Sequence, residues 1–282
     1  MRQVPTFVIA RLTFKEAGRR RILLAALGLG IVFLIVYGLG VHFIKKDLTE
    51  RGEHMQRVVA LPMYSFLALS GLYVVNFLTL SMTVLTSVDT ISGEIDSGTV
   101  HILAAKPIRR RQILIGKWLG FAVMLSLYLL LMAGGVIALM RLILGYAVPN
   151  PFRGLALLWL NQILVLNITL LGGTRLSTLA NGVLVFAAYG VAFIGGWIEQ
   201  IGAFLGNETT AAIGIVSSLL MPSETLWKRA SFEMETALAS AVPPNPFTAV
   251  ISVPSVAMVI YAILYAIAAL VLAVHSFNSR DL

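Results

Sequence analysis

Three carboxylates, Asp89, Glu94 and Asp96, stand within eight residues of one another and are followed by Arg109, Arg110 and Arg111. Carboxylates at that density can hold Mg²⁺ and an arginine run can bind phosphate, so the chemistry suggested is phosphoryl transfer on a lipid headgroup. Their spacing matches no metal motif, however, and no base or nucleophile accompanies them. Ser70 and His275 supply a hydroxyl and an imidazole, but at about 1.5 Å per helical residue they fall more than about 20 Å apart in depth. Glu53 and His54, with His42 nearby, fit no ligand spacing. Gly116-Lys117 lacks the rest of a phosphate loop, with Arg111 five residues before the glycine and Trp118 after the lysine. The chain has no cysteine, which removes thiolate nucleophiles, thiolate metal sites and disulfides together.

The elements that position these residues follow from composition. Of 282 residues, 58% are hydrophobic and 12% charged, against roughly 25% charged in a typical soluble domain. A water-soluble globule of this size cannot hide so much apolar surface, and a disordered chain would not contain it. The fold class expected is an all-α, polytopic membrane helix bundle forming a single transmembrane domain over 1–282.

Six stretches reach the roughly 20 apolar residues that a spanning helix needs: 22–44, 61–88, 113–140, 154–171, 176–198 and 250–277. Lipid offers no partner to a free amide, and no alternating pattern suggests a barrel. The first stretch is too long, and too far from residue 1, for a cleavable signal. Six spans place both termini on one side. Thirteen of the 21 Lys and Arg fall in the segments on that side, which is therefore expected to be cytoplasmic. Only five of the 13 acidic residues join them, so the net charge of +8 lies wholly on that face. This points to topology and anionic-lipid contact and away from a nucleic-acid partner.

Residues 5–21 are expected to form an interfacial helix, with Arg11, Lys15 and Arg19 on one stripe and Phe7, Ala10, Phe14 and Ala17 on another; a simple charged anchor is the other reading. The outer segment 199–249 contains an apolar piece, Ala211 to Met221, too short to span and fit for a re-entrant or interfacial position. Ser223 is the expected N-cap of an amphipathic helix lying on the outer surface or capping the bundle, with ion pairs Glu224–Lys228 and Arg229–Glu233. Pro-Asn-Pro-Phe occurs at 149–152 and again at 244–247, before the fourth and sixth spans, and is read as turn chemistry. Asn76, Asn161, Gln162, Asn167 and Asn181 lie within spans and either bond helices together or line a pathway. The glycine pairs at 134–135, 172–173 and 195–196 suggest close helix approach.

No span carries a charge at mid-depth; Lys117 and Glu199 stand at span ends. Without an ion-coupling charge or a nucleotide site, any uphill work must be driven by another subunit, and a partner needs a cytoplasmic contact surface. Residues 89–117 are the only sizeable one between spans. Within them Ser97 or Thr99 can cap a short helix, Gly98 permits the bend before it, and Pro107 ends it.

The ordered set Glu94, Gly98-Thr99, Leu103, Pro107, Arg109 or Arg110, and Lys117 resembles the signature of ABC-2 type transporter permease subunits. The nearest shape is the branch containing the permease associated with copper-site maturation in nitrous oxide reductase. The motif covers 29 residues, and the six-span layout extends the likeness over the chain. The resemblance implies a coupling helix in 89–112 seated in a groove of a cytoplasmic ATP-binding-cassette ATPase. Glu94 would lie at its membrane end; Gly98, Thr99 and Leu103 would shape it; and Arg109, Arg110 and Lys117 would anchor its exit. It further implies two ATPases with a homodimer or pair of permeases, export, ATP and Mg²⁺ on the partner with no cofactor in this chain, and the inner membrane of a prokaryote. Nothing suggests copper ligands, so no copper role is carried over. The alternatives are the Mg²⁺-dependent lipid phosphotransferase using Asp89, Glu94 and Asp96, and a passive channel or scaffold.

Overall fold

Six helices are long and apolar enough to cross a membrane, and a computed structural model of the chain shows how they pack. It describes residues 5–19, 21–50, 57–96, 109–236 and 250–279. These form α1 (Pro5–Arg19), α2 (Arg21–Glu50), α3 (Arg57–Ser87), α4 (Asp89–Asp96), α5 (Arg110–Leu144), α6 (Pro151–Gly173), α7 (Thr178–Phe204), α8 (Glu208–Leu220), α9 (Ser223–Met234) and α10 (Val256–Asn278). No strand occurs among the described residues. The spanning helices are α2, α3, α5, α6, α7 and α10. Where 22–44 and 113–140 were expected to span, the helices run on to Arg21–Glu50 and Arg110–Leu144, because charged residues in their outer turns do not interrupt backbone hydrogen bonding.

The hub is α6. From Asn161 to Asn167 every residue is buried, and each amide points at a different neighbour. Asn161 Nδ2 donates to Asn76 Oδ1 on α3 (3.1 Å), Gln162 Nε2 to the Leu125 carbonyl on α5 (3.2 Å), and Asn167 Nδ2 to the Ala266 carbonyl on α10 (2.8 Å). Trp118 Nε1 returns a bond from α5 to Asn167 Oδ1 at 2.6 Å. Since lipid tails are as apolar as leucine, such bonds and close packing hold helices together where burial alone cannot.

Small residues set the close approaches. Gly30 on α2 faces Met132 on α5, Gly135 on α5 faces Leu34, and Gly71 on α3 faces the Tyr37 ring, whose hydroxyl donates to the Leu67 carbonyl (2.9 Å). On α1, Ile9, Thr13 and Ala17 pack toward the start of α5, where Gly116 and Gly120 leave room for them. The expected apolar stripe therefore divides. Ala17 is buried, whereas Phe7 and Phe14 are 65% and 37% exposed, because the face of α1 that meets α5 carries Ile9, Thr13 and Ala17.

The segment after α7 departs most from expectation. The chain turns at Gly206 (φ 67°), and α8 runs back along α7 with Gly202 against Ala211 and Gly214 against Glu199. At Met221-Pro222 it turns again, and α9 returns until Met234 fills the space over Gly154, near the start of α6. Thirteen and twelve residues reach only about 20 Å at 1.5 Å each, so the pair forms a re-entrant hairpin. Instead of lying on the outer surface, α9 is enclosed by α3, α6, α7 and α10. Every residue from Met221 to Lys228 is buried. Nor is Ser223 the cap: Pro222 holds the N-cap position, and Ser223 is the first helical residue. The first Pro-Asn-Pro-Phe starts α6 as turn chemistry requires, with Asn150 in the left-handed region (φ 38°) and Pro151 as the first helical residue; the second lies outside the described residues.

A leucine at Gly214 has backbone where its Cβ must go, whereas Gly190 has nothing within 4 Å. Gly214→Leu is expected to cost about 1–3 kcal/mol or more by forcing α7 and α8 apart, and Gly190→Leu close to nothing. Thermal unfolding of the purified variants in detergent checks the difference.

Candidate functional site

Two corners at opposite ends of the bundle gather the polar chemistry. The first surrounds α4, which follows α3 directly and packs on α6, α3 and α7. Lys117, only 7% exposed, donates from Nζ to the Thr90 carbonyl at 3.0 Å and so ties α4 to α5. Ser92 Oγ lies 2.8 Å from Thr178 Oγ1, tying α4 to the first turn of α7. Asn181 Nδ2, on that same turn, reaches the carbonyls of Thr169 (2.8 Å) and Val88 (3.5 Å). At the head of α5 the Arg109 amide donates to Gln112 Oε1 (3.1 Å) and the Gln112 amide to the Arg109 carbonyl (2.8 Å). This leaves Arg109 and Arg111 exposed and Arg110 half-buried.

Of the residues singled out for this corner, the structure brings Lys117 against α4 and places Arg109 and Arg110 at the start of α5. Glu94 lies on α4, with its side chain outside the described set; Gly98, Thr99, Leu103 and Pro107 lie outside the described residues. Among the described residues no three His, Asp or Glu side chains converge where a metal ion could sit. Asn76, Asn161, Asn167 and Asn181 are each 2% exposed or less and engaged in the bonds between helices given above.

The second corner was not expected, because Glu199 reads as a span-end residue and α9 as a surface helix. Folding the hairpin inward puts three charges inside the bundle. Lys228 Nζ on α9 lies 2.8 Å from Glu199 Oε2 on α7, both side chains nearly inaccessible, in a charge contact outside hydrogen-bonding angles. Glu224, one turn before Lys228, packs over Gly196, where only a glycine admits it. Ser252 closes the far side, its hydroxyl donating to Glu199 Oε1 and its amide to Gln200 Oε1 (2.8 Å). Glu224 was expected to take Lys228 as its i,i+4 partner; Lys228 instead reaches across to Glu199. The Arg229–Glu233 pair does form, at 2.6 Å. The signal that could have located this corner is α9's composition: a helix with Ser, Glu, Thr, Lys and Ser on its buried side needs polar partners, and Glu199 and Gln200 stand near the end of the spanning helix before it.

Of these charges, Glu224 and Lys228 line a cavity of about 480 Å³ between α3, α7 and α9, together with Phe66, Tyr73, Trp197 and Trp227. Burial, opposed in part by Lys228 and reinforced by Glu199, pushes the Glu224 carboxyl up to about 7.

The helix bundle and its six candidate spans agree with a family-level likeness. Residues 8–282 match the family model for the ABC-2 family transporter protein. The chain belongs to that family and is an integral membrane permease component of an ABC transporter, a class that works in general with a partner ABC ATPase. No curated protein matches the chain at a significant level.

Two outcomes follow for the charged corner. Removing Lys228 leaves two buried carboxylates without a cation, so Lys228→Met is expected to cost about 3–5 kcal/mol, and adding Glu199→Gln to restore part of it; thermal unfolding of the single and double variants measures both. Glu224, at about 7 when folded against an ordinary 4.5, penalises the folded state little below pH 4.5, increasingly as pH rises, and fully above pH 7. Glu224→Gln is therefore expected to match the parent near pH 5 and exceed it at pH 8, by up to about 3 kcal/mol, in unfolding scans at the two pH values.

Proposed function

We propose that the chain is the membrane half of an exporter whose ATP is hydrolysed on a separate cytoplasmic ATPase, two copies of which serve a homodimer or pair of permeases. Nucleotide and Mg²⁺ then belong to the partner, and this chain carries out no covalent step. The charge bias supports a cytoplasmic α4 corner and cytoplasmic termini with the α8–α9 hairpin on the outer side, and the family resemblance supports the inner membrane of a prokaryote. The resemblance to the permease branch of nitrous oxide reductase maturation supports the same architecture without a copper role.

The observation that carries the coupling reading is the pinning of α4. Its carbonyl at Thr90 is held by Lys117 of α5, and its Ser92 hydroxyl meets Thr178 of α7. A load applied to α4 by an ATPase would pass through these two bonds into two spanning helices. Glu94 rides on α4, and Gly98, Thr99, Leu103 and Pro107 follow in the segment that the resemblance assigns to the coupling helix.

Co-expression with a candidate ATPase tests this. Glu94→Ala and Gly98→Pro are expected to lower pull-down of the ATPase and its permease-stimulated activity at least several-fold. Lys117→Met is expected to retain pull-down while lowering the stimulation, since it lies behind the contact. Unchanged recovery and stimulated activity in both Glu94→Ala and Gly98→Pro would remove the coupling assignment.

A further inference from the structure

The charges along the cavity wall do not balance. Lys228 answers Glu199, and Ser252 satisfies the second oxygen of that carboxylate. Glu224 is 5% exposed, yet its Oε2 has no hydrogen-bond partner among the described residues, and neither has Ser231 Oγ, two turns further along the same face of α9. Two carboxylates thus share one ammonium group, inside a helix bundle where an unmatched charge is costly. Aromatic rings line the same cavity. The Tyr73 and Trp227 rings lie 5.1 Å apart between centroids, with Trp197 and Phe66 beside the same space. Ring faces attract cations, and a surplus carboxylate beside them lacks a positive donor. A volume of about 480 Å³ suits a molecule of drug size. The lining reaches the surface through Phe66, Ser70 and Val74, the exposed stripe of α3, so entry is from the side of the bundle.

We propose that this cavity binds a lipophilic primary amine, its ammonium group donating to Glu224 and its apolar body lying against Trp197, Trp227 and Tyr73. Lys228 holds Glu199 out of the contact and leaves Glu224 as the recognising group. Ser231 supplies a second acceptor within the same wall. Naming the amine as cargo rests on the permease reading; its binding does not.

The purified chain in nanodiscs of zwitterionic lipid, without any ATPase, is titrated with dansylcadaverine and with its N-acetylated, uncharged derivative. Energy transfer from the cavity tryptophans to the dansyl group reports entry. The amine is expected to bind about 10-fold or more tightly than the acetylated compound, the scale of one charge-assisted hydrogen bond. Glu224→Gln is expected to bring the two within about 2-fold. Ser70→Phe, at the exposed mouth and away from the packed interior, is expected to weaken both and decides the matter even if Glu224→Gln does not insert. Equal binding of the two compounds, a preference that survives Glu224→Gln, or unchanged affinity in Ser70→Phe would overturn the proposal. Glu94→Ala is expected to bind the amine normally, so failure here and failure of the coupling reading are told apart.

Discussion

A polar helix folded into an apolar bundle must find partners for its charges there, and that constraint organises the end of the molecule remote from α4. Lys228 cannot be buried without a counter-charge, and Glu199 cannot be buried without Lys228. Their contact fixes how far α9 enters and which face it turns toward α7. The glycines at 195, 196, 202 and 214 are the steric condition for that contact, since they let α7, α8 and the Glu224 side chain approach to backbone distance. What results is a cavity lined by charges and rings together, which neither α7 nor α9 would make alone.

The two corners share α7. Its first turn carries Thr178 and Asn181 beside α4, and its last turns carry Glu199 and Gln200 beside the cavity. About 20 residues of continuous helix, roughly 30 Å, separate them. Along its length α7 packs closely on α8 on one side and exposes Leu179, Val183, Val191 and Ile194 on the other. A tilt imposed at the α4 end therefore has a stiff element by which to reach the cavity wall, while the amide bonds of α6 tie that helix to α3, α5 and α10.

Much of this frame was legible from residue types alone. Six apolar runs, few charges and no cysteine leave little besides a helix bundle, and the Pro-Asn turn before α6 reads directly as a helix start. The glycine pairs and the intramembrane amides were legible as close approach and interhelical bonding, although not as to which helix each would reach. The position of α9 was not legible. Its hydrophobic face marks it as amphipathic, but a surface helix and a buried helix with charged partners have the same periodicity, and the partner Glu199 lies on another helix. Phe7 and Phe14 misled for a related reason. Periodicity identifies a stripe, but the close approach to the glycines of α5 is made by Ile9 and Thr13, and not by the aromatic residues.

The helices differ greatly in length. With 23 residues each, α6 and α10 extend about 35 Å, whereas the 30 residues of α2 extend about 45 Å. A hydrocarbon layer near 30 Å suits the shorter pair, so α2 must lean, or lift its final Lys46–Glu50 turn into the headgroups. Because α2 touches the rest of the bundle mainly along one glycine-marked seam and leaves most of its surface uncovered by this chain, its lean responds to bilayer thickness. Longer or shorter lipids would then shift α2 against α5, making the composition of the host membrane a mechanical setting of the protein.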